Sequence, residues 1–167
     1  MSLIDGLLRE LDEEAATTRR VLERVPDDQL AWRPHVKART LGQLAWHIAT
    51  VPGTVADLAA MPSPAQFPQL PDEIGPGSAS ELVAALDRSI ANARAVLGGL
   101  SDAELLVTWR LLRGDQEIVV VPRLSFLRSV MLNHWYHHRG QLTTYLRALD
   151  VPIPSIYGPS ADENPFV

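Results

Sequence analysis

A chain of 167 residues without cysteine has no disulfides, no zinc–thiolate ligands and no thiol nucleophile, and its length suits a single domain, residues 1–167, that buries its own core. The formal net charge of −5, with scattered rather than clustered arginines, argues against a nucleic-acid partner. With no apolar run of 18 residues and no export-type leader, neither a membrane span nor secretion is expected, and a cytoplasmic location follows as the expectation.

From Ser2 to Val25, Ile4, Leu7, Leu8, Leu11, Ala15, Val21 and Leu22 recur at three- and four-residue intervals, with charged residues between them. That period predicts an amphipathic helix with Ser2 as its N-cap. Pro26, Asp27 and Asp28 end it, and the aperiodic stretch Leu30–Arg39 predicts an ordered connection with Trp32 folded onto the core. Thr40 and Gln43 have capping-box spacing, so a second helix begins there and runs to about Ala60, with Pro52 and Gly53 expected to kink it or to end its first part. His47 stands in its second turn, on the apolar stripe of Leu44, Ala45 and Ile48.

Met61–Gly77 holds five prolines and predicts a long surface connection, which frees a bundle from simple up-down-up-down order. Ser78 and Glu81 again have capping-box spacing and open a third helix, stopped by Gly98 and Gly99. Ser101–Leu106 reads as one short helical turn. Thr108–Arg113 and Gln116–Val121 flank Gly114-Asp115, which predicts a small β-hairpin. Pro122 then starts a fourth helix reaching Leu149 through Leu124, Leu127, Val130, Met131, Leu142 and Leu146. The proline-rich tail from Val151 predicts no regular structure, although Ile153, Ile156, Tyr157 and Phe166 offer apolar docking groups. Together these elements predict an all-α fold, a four-helix bundle carrying a small β-hairpin before the last helix.

The fourth helix contains Met131-Leu-Asn-His-Trp-Tyr-His-His-Arg-Gly-Gln-Leu142, which holds three of the chain's five histidines. Residues four apart share a helical face, so His134 and His138 form a chelating pair, and Gln141 continues that face. His137 lies only about 60° from His134, so spacing alone leaves it in contention. Trp135 and Tyr136 read as packing or interface residues, and Arg139 as a solvated or subunit-contact residue. A pair needs a third ligand, and His47 on an apolar helical face suits this better than His35 in an irregular loop. Three neutral imidazoles suit a divalent transition metal and leave positions for a small-molecule substrate. Gln43 and Gln141 are candidates to orient an imidazole or bound solvent. No G-x-S-x-G elbow, Walker loop, H-E-x-x-H or Glu-x-x-His motif is present.

Trp32-Arg-Pro34, Thr40-Leu-Gly-Gln-Leu-Ala-Trp-His47-Ile and Asn133-His-Trp-Tyr-His-His-Arg-Gly-Gln141 resemble the DinB/YfiT-like family over nearly the whole chain. The resemblance implies an up-down-down-up bundle, often homodimeric, with a divalent metal held by His47, His134 and His138, and zinc or nickel is the expected ion. It is this resemblance that prefers His138 over the adjacent His137, which becomes a candidate beside the site. Some similar proteins are thiol S-transferases using low-molecular-weight thiols such as bacillithiol or mycothiol, and related ones isomerise maleylpyruvate. The expected activity is therefore metal-dependent thiol S-transfer or hydrolysis on a small molecule, with the catalytic group itself unassigned. The competing expectation is a dimeric helical binding or stress-related protein whose metal is structural or absent. Gly140 is expected to allow close helix approach or access to the site.

Overall fold

The computed structural model describes residues 2–69 and 75–166. Four long helical elements form the core. Helix α1 spans Leu3–Leu22, and Ser2 closes a capping box with Asp5. Helix α2 spans Leu41–Ala60, capped by Thr40 and Gln43. Helix α3 covers Ser80–Leu97, and a short helix α4 covers Asp102–Leu106. The last element is α-helical over Arg123–Phe126 (α5), π-helical over Leu127–Asn133, and α-helical again over His134–Ala148 (α6). No helix among the described residues is long and apolar enough to cross a membrane.

Side-chain contacts fix the direction of each helix. Asp12–Arg94 and Arg19–Asp87 pair opposite ends of α1 and α3, so these two are antiparallel. Gly53 with Ser89 and Asp57 with Asn92 climb together, so α2 and α3 are parallel. Trp135 meets Ile48 while Arg123 meets Ala59, making α2 and the last helix antiparallel. The order is up-down-down-up, and the α2-to-α3 connection must run back along the bundle because its two helices are parallel neighbours.

The connection before α2 is ordered by a local necessity. The first amides of a helix have no intrahelical acceptor, and here Leu41 and Gly42 donate to the carbonyls of Trp32 and Leu30 at 2.8 and 2.9 Å. Trp32 then stands edge-on to Tyr145 of α6, 5.6 Å between centroids. The expected cap at Ser78 is displaced: α3 starts at Ser80 behind Ala79, which supplies no side-chain cap, and Ser78 Oγ bonds Ser80 Oγ instead. The long connection is interrupted by a short strand β1, Ala65–Gln66, and its residues 70–74 lie outside the described residues.

The hairpin of β2 (Thr108–Arg113) and β3 (Gln116–Pro122) forms with a register irregularity at Leu111/Leu112. It is larger than the sequence suggests, because β1 pairs parallel to β2 and makes a three-stranded mixed sheet. A two-residue segment carries too little pattern to be read as a strand; the Phe67 amide bonding the Leu112 carbonyl extends this pairing. Trp109 ties the sheet to the bundle end: it is fully buried, stacks on Phe126 at 4.7 Å, and donates its indole N–H to the Met61 carbonyl at 3.0 Å. At the turn Gly114 has φ +61° with open space where a Cβ would sit. Gly114→Ala is therefore expected to cost about 1–2 kcal/mol from backbone strain alone, seen as a lower urea midpoint at unchanged slope.

Candidate metal centre

His47 projects from the second turn of α2, and His134 and His138 from the first turns of α6. One ring nitrogen from each lies within 4.8 Å of the others. The rings meet edge-on, with centroids 5.2 Å apart for His47 and His134, 4.7 Å for His47 and His138, and 4.5 Å for His134 and His138. His35 does not join them; it sits exposed in its loop, where its Nδ1 accepts the Lys37 amide at 3.2 Å. His137 is exposed, its ring centroid 5.0 Å from that of His138, and it contributes no nitrogen to the cluster.

The hydrogen bonds assign roles to the ring atoms. His138 Nδ1 lies 2.9 Å from Gln141 Oε1, an acceptor, so this nitrogen carries the proton and Nε2 presents its lone pair to the cluster. His134 Nε2 stands 2.9 Å from that atom and donates to it. His134 Nδ1 is buried with no hydrogen bond of acceptable geometry. Gln43 is engaged at the helix start, its Oε1 accepting the Thr40 amide at 2.9 Å. Gly140 makes no close approach: a Cβ built there meets nothing within 4 Å.

Burial pushes the pKa values of both His134 and His138 below the ordinary imidazole value, with Arg39 and His137 acting in the same direction. Neutral imidazole is the form that binds metal. Two nitrogens on one tetrahedral zinc at about 2.0–2.1 Å stand about 3.3 Å apart, so the 2.9 Å separation of His134 and His138 fits after a small side-chain adjustment. The three residues therefore form a potential metal-binding site.

A sequence model of the DinB superfamily matches residues 10–142, a span that includes His47, His134 and His138. The chain belongs to the DinB superfamily. It is 27% identical over 165 residues to the uncharacterized protein YrdA of Bacillus subtilis (strain 168), covering 96% of this chain and 91% of that one. Its fold resembles a DinB-like protein from Bacillus cereus ATCC 10987, with a TM-score of 0.74 and 23% identity, covering 92% of this chain and 97% of the other. A DinB family member from Exiguobacterium sibiricum 255-15 aligns with a TM-score of 0.63 at 21% identity, covering 97% and 98% of the two chains. These likenesses establish the DinB bundle.

Two residues beside the DinB histidines have roles that their local sequence pattern conceals. Arg139 is not solvated: it is 1% exposed and paired with Glu14 of α1 at 2.6 Å. Its guanidinium also donates to Thr18 Oγ1 at 3.1 Å and to the Tyr157 hydroxyl, and lies against the rings of Tyr136 and Tyr157. Tyr157 in turn donates to Glu14 Oε2 at 2.9 Å, so the tail is docked through the same ion pair. Ile153 and Ile156 pack on the core, whereas Phe166 is exposed. Trp135 is fully buried and donates its indole N–H to the Ile48 carbonyl at 2.8 Å. The available signal was Pro52: with no N–H of its own, it leaves the carbonyl four residues earlier, that of Ile48, in need of a donor.

Proposed function

We propose that this DinB protein is a metal-dependent enzyme acting on a small molecule, with His47, His134 and His138 holding one divalent ion, zinc or nickel. The observation that carries the reading is the convergence of three imidazole nitrogens from two helices, all within 4.8 Å. Bound there, such an ion supplies Lewis acidity to a ligand in a remaining coordination position. The chain's own groups prepare the site. Burial keeps His134 and His138 neutral, and Gln141 fixes the tautomer and ring orientation of His138. His137, exposed beside His138, is the candidate to meet an incoming molecule.

Thiol S-transfer is the leading reaction type and hydrolysis the next. A chain without cysteine has no thiol of its own, so S-transfer requires a low-molecular-weight thiol as a substrate. A homodimer is the expected assembly and the cytoplasm the expected location. One observation favours a second reading, a helical binding protein without functional metal: the 2.9 Å contact between His134 and His138 satisfies both Nε2 atoms as an imidazole–imidazole hydrogen bond.

Elemental analysis of tag-free protein separates the two. The enzyme reading expects close to one equivalent after incubation with Zn(II) or Ni(II), and less than about a tenth of an equivalent would leave only the binding-protein reading. A panel of low-molecular-weight thiols with monochlorobimane then tests S-transfer. Turnover is expected to stop on chelation and return with metal; turnover that survives chelation defeats the metal mechanism.

A further inference from the structure

We propose that Trp135 is a positioning residue for the histidine cluster, acting through the Ile48 carbonyl that Pro52 releases from the α2 ladder. The affinity arm of this inference rests on the metal reading above, whereas the hydrogen-bond arm stands without it.

Pro52 lies inside α2, at a point where the helix would ordinarily close a bond from residue 52 to the Ile48 carbonyl. Proline has no N–H for that bond, and its ring crowds the carbonyl four residues back and turns it outward. The damage is repaired from two sides. On the α3 side, the Ser89 hydroxyl enters the ladder, accepting the Gly53 amide at 2.8 Å and donating to the Thr50 carbonyl at 3.2 Å. On the α6 side, the Trp135 indole N–H meets the Ile48 carbonyl at 2.8 Å, with both residues fully buried.

The place of this second repair gives it a further consequence. Ile48 follows His47 in the chain, and Trp135 follows His134. One directed bond therefore joins the two helices at the residues adjoining the ligands, whereas apolar packing alone would let them slide and rotate. Packing needs only the volume of a tryptophan. The N–H is needed because a buried carbonyl without a donor is costly, and the proline created that carbonyl one residue from a ligand.

The test uses Trp135→Phe, Pro52→Ala and the double variant, with Zn(II) affinity measured by chelator competition at a temperature well below unfolding. Trp135→Phe is expected to lower Zn(II) affinity 10–100-fold, the range typical of groups that orient ligands, and to lower Tm. Adding Pro52→Ala restores a backbone N–H to the orphaned carbonyl, so Tm should recover while affinity stays low. Affinity within about threefold of the parent in Trp135→Phe, or affinity recovering together with Tm in the double variant, overturns the proposal.

If Trp135→Phe does not fold, the parent protein decides. Its Trp135 indole N–H resonance should shift on Zn(II) addition, whereas that of Trp109, bonded to Met61 at the sheet, should not; equal behaviour of the two overturns the proposal. If the parent binds neither Zn(II) nor Ni(II), the enzyme reading fails on its own. The ring nitrogen signals of His47, His134 and His138 in the apoprotein then judge the proposal. They should move in Trp135→Phe and stay moved in the double variant, and unchanged signals overturn it.

Discussion

Replacing His47 with alanine is expected to lower Zn(II) affinity more than about 100-fold, beyond the 10–100-fold that loss of an orienting group costs, while His35→Ala binds as the parent does. His134 and His138 share one helix and already touch through their Nε2 atoms. Without His47 they remain an i, i+4 pair with nothing from a second element to complete the set. His35 is a suitable control because its Nδ1 accepts the Lys37 amide within an exposed loop. Chelator competition at neutral pH gives both constants, and circular dichroism establishes that each variant is folded. Equal losses for the two variants would remove His47 from the ligand set.

Glu14→Ala is expected to destabilise the fold by about 3–5 kcal/mol, the cost of leaving a buried charge without its partner. Arg139 cannot shed its charge, and its side chain is 2% exposed against 14% for Glu14. Thr18, the Glu14 carbonyl and Tyr157 still accept hydrogen bonds from it, but none is anionic. Adding Arg139→Met to Glu14→Ala should recover much of the loss, because an apolar side chain in place of the guanidinium removes the desolvated charge altogether. Urea denaturation of the two single variants and the double variant gives the coupling directly. Simple additivity would show that the pair is not the unit that matters.

Periodicity and capping carried most of the bundle. Ser2/Asp5 and Thr40/Gln43 open their helices with side-chain caps, and the hairpin turns at Gly114. What stayed hidden depends on partners distant in the chain. The third strand exists only because Ala65 and Gln66 lie beside Leu111 and Leu112. Arg139 reads as a surface residue until α1 supplies Glu14, some 125 positions away. Within the candidate site, the i, i+4 pair was visible from spacing, whereas its meeting with His47 needed the antiparallel packing of α2 and α6. Geometry separated His138 from His137: one is buried with Gln141 on its ring, the other exposed.

The π segment before His134 has a consequence for how this chain can change. Phe126 and Leu127 are echoed five residues later by Met131 and Leu132, all buried, and from Trp135 onward burial returns to steps of three and four at His138, Arg139, Leu142, Tyr145 and Leu146. The helix thus carries two apolar frames offset by one residue, and the His134 amide bonding back to Ser129 marks where one hands over to the other. Losing one residue between Leu127 and Asn133 would merge the frames into one regular α-helix. The five-residue steps from Phe126 and Leu127 would become four-residue steps, so the half that holds Phe126 and the half that holds the histidines would go on facing one core. A lineage could therefore gain or lose this wide turn by a single codon while every ligand and every core residue keeps its place on the buried face.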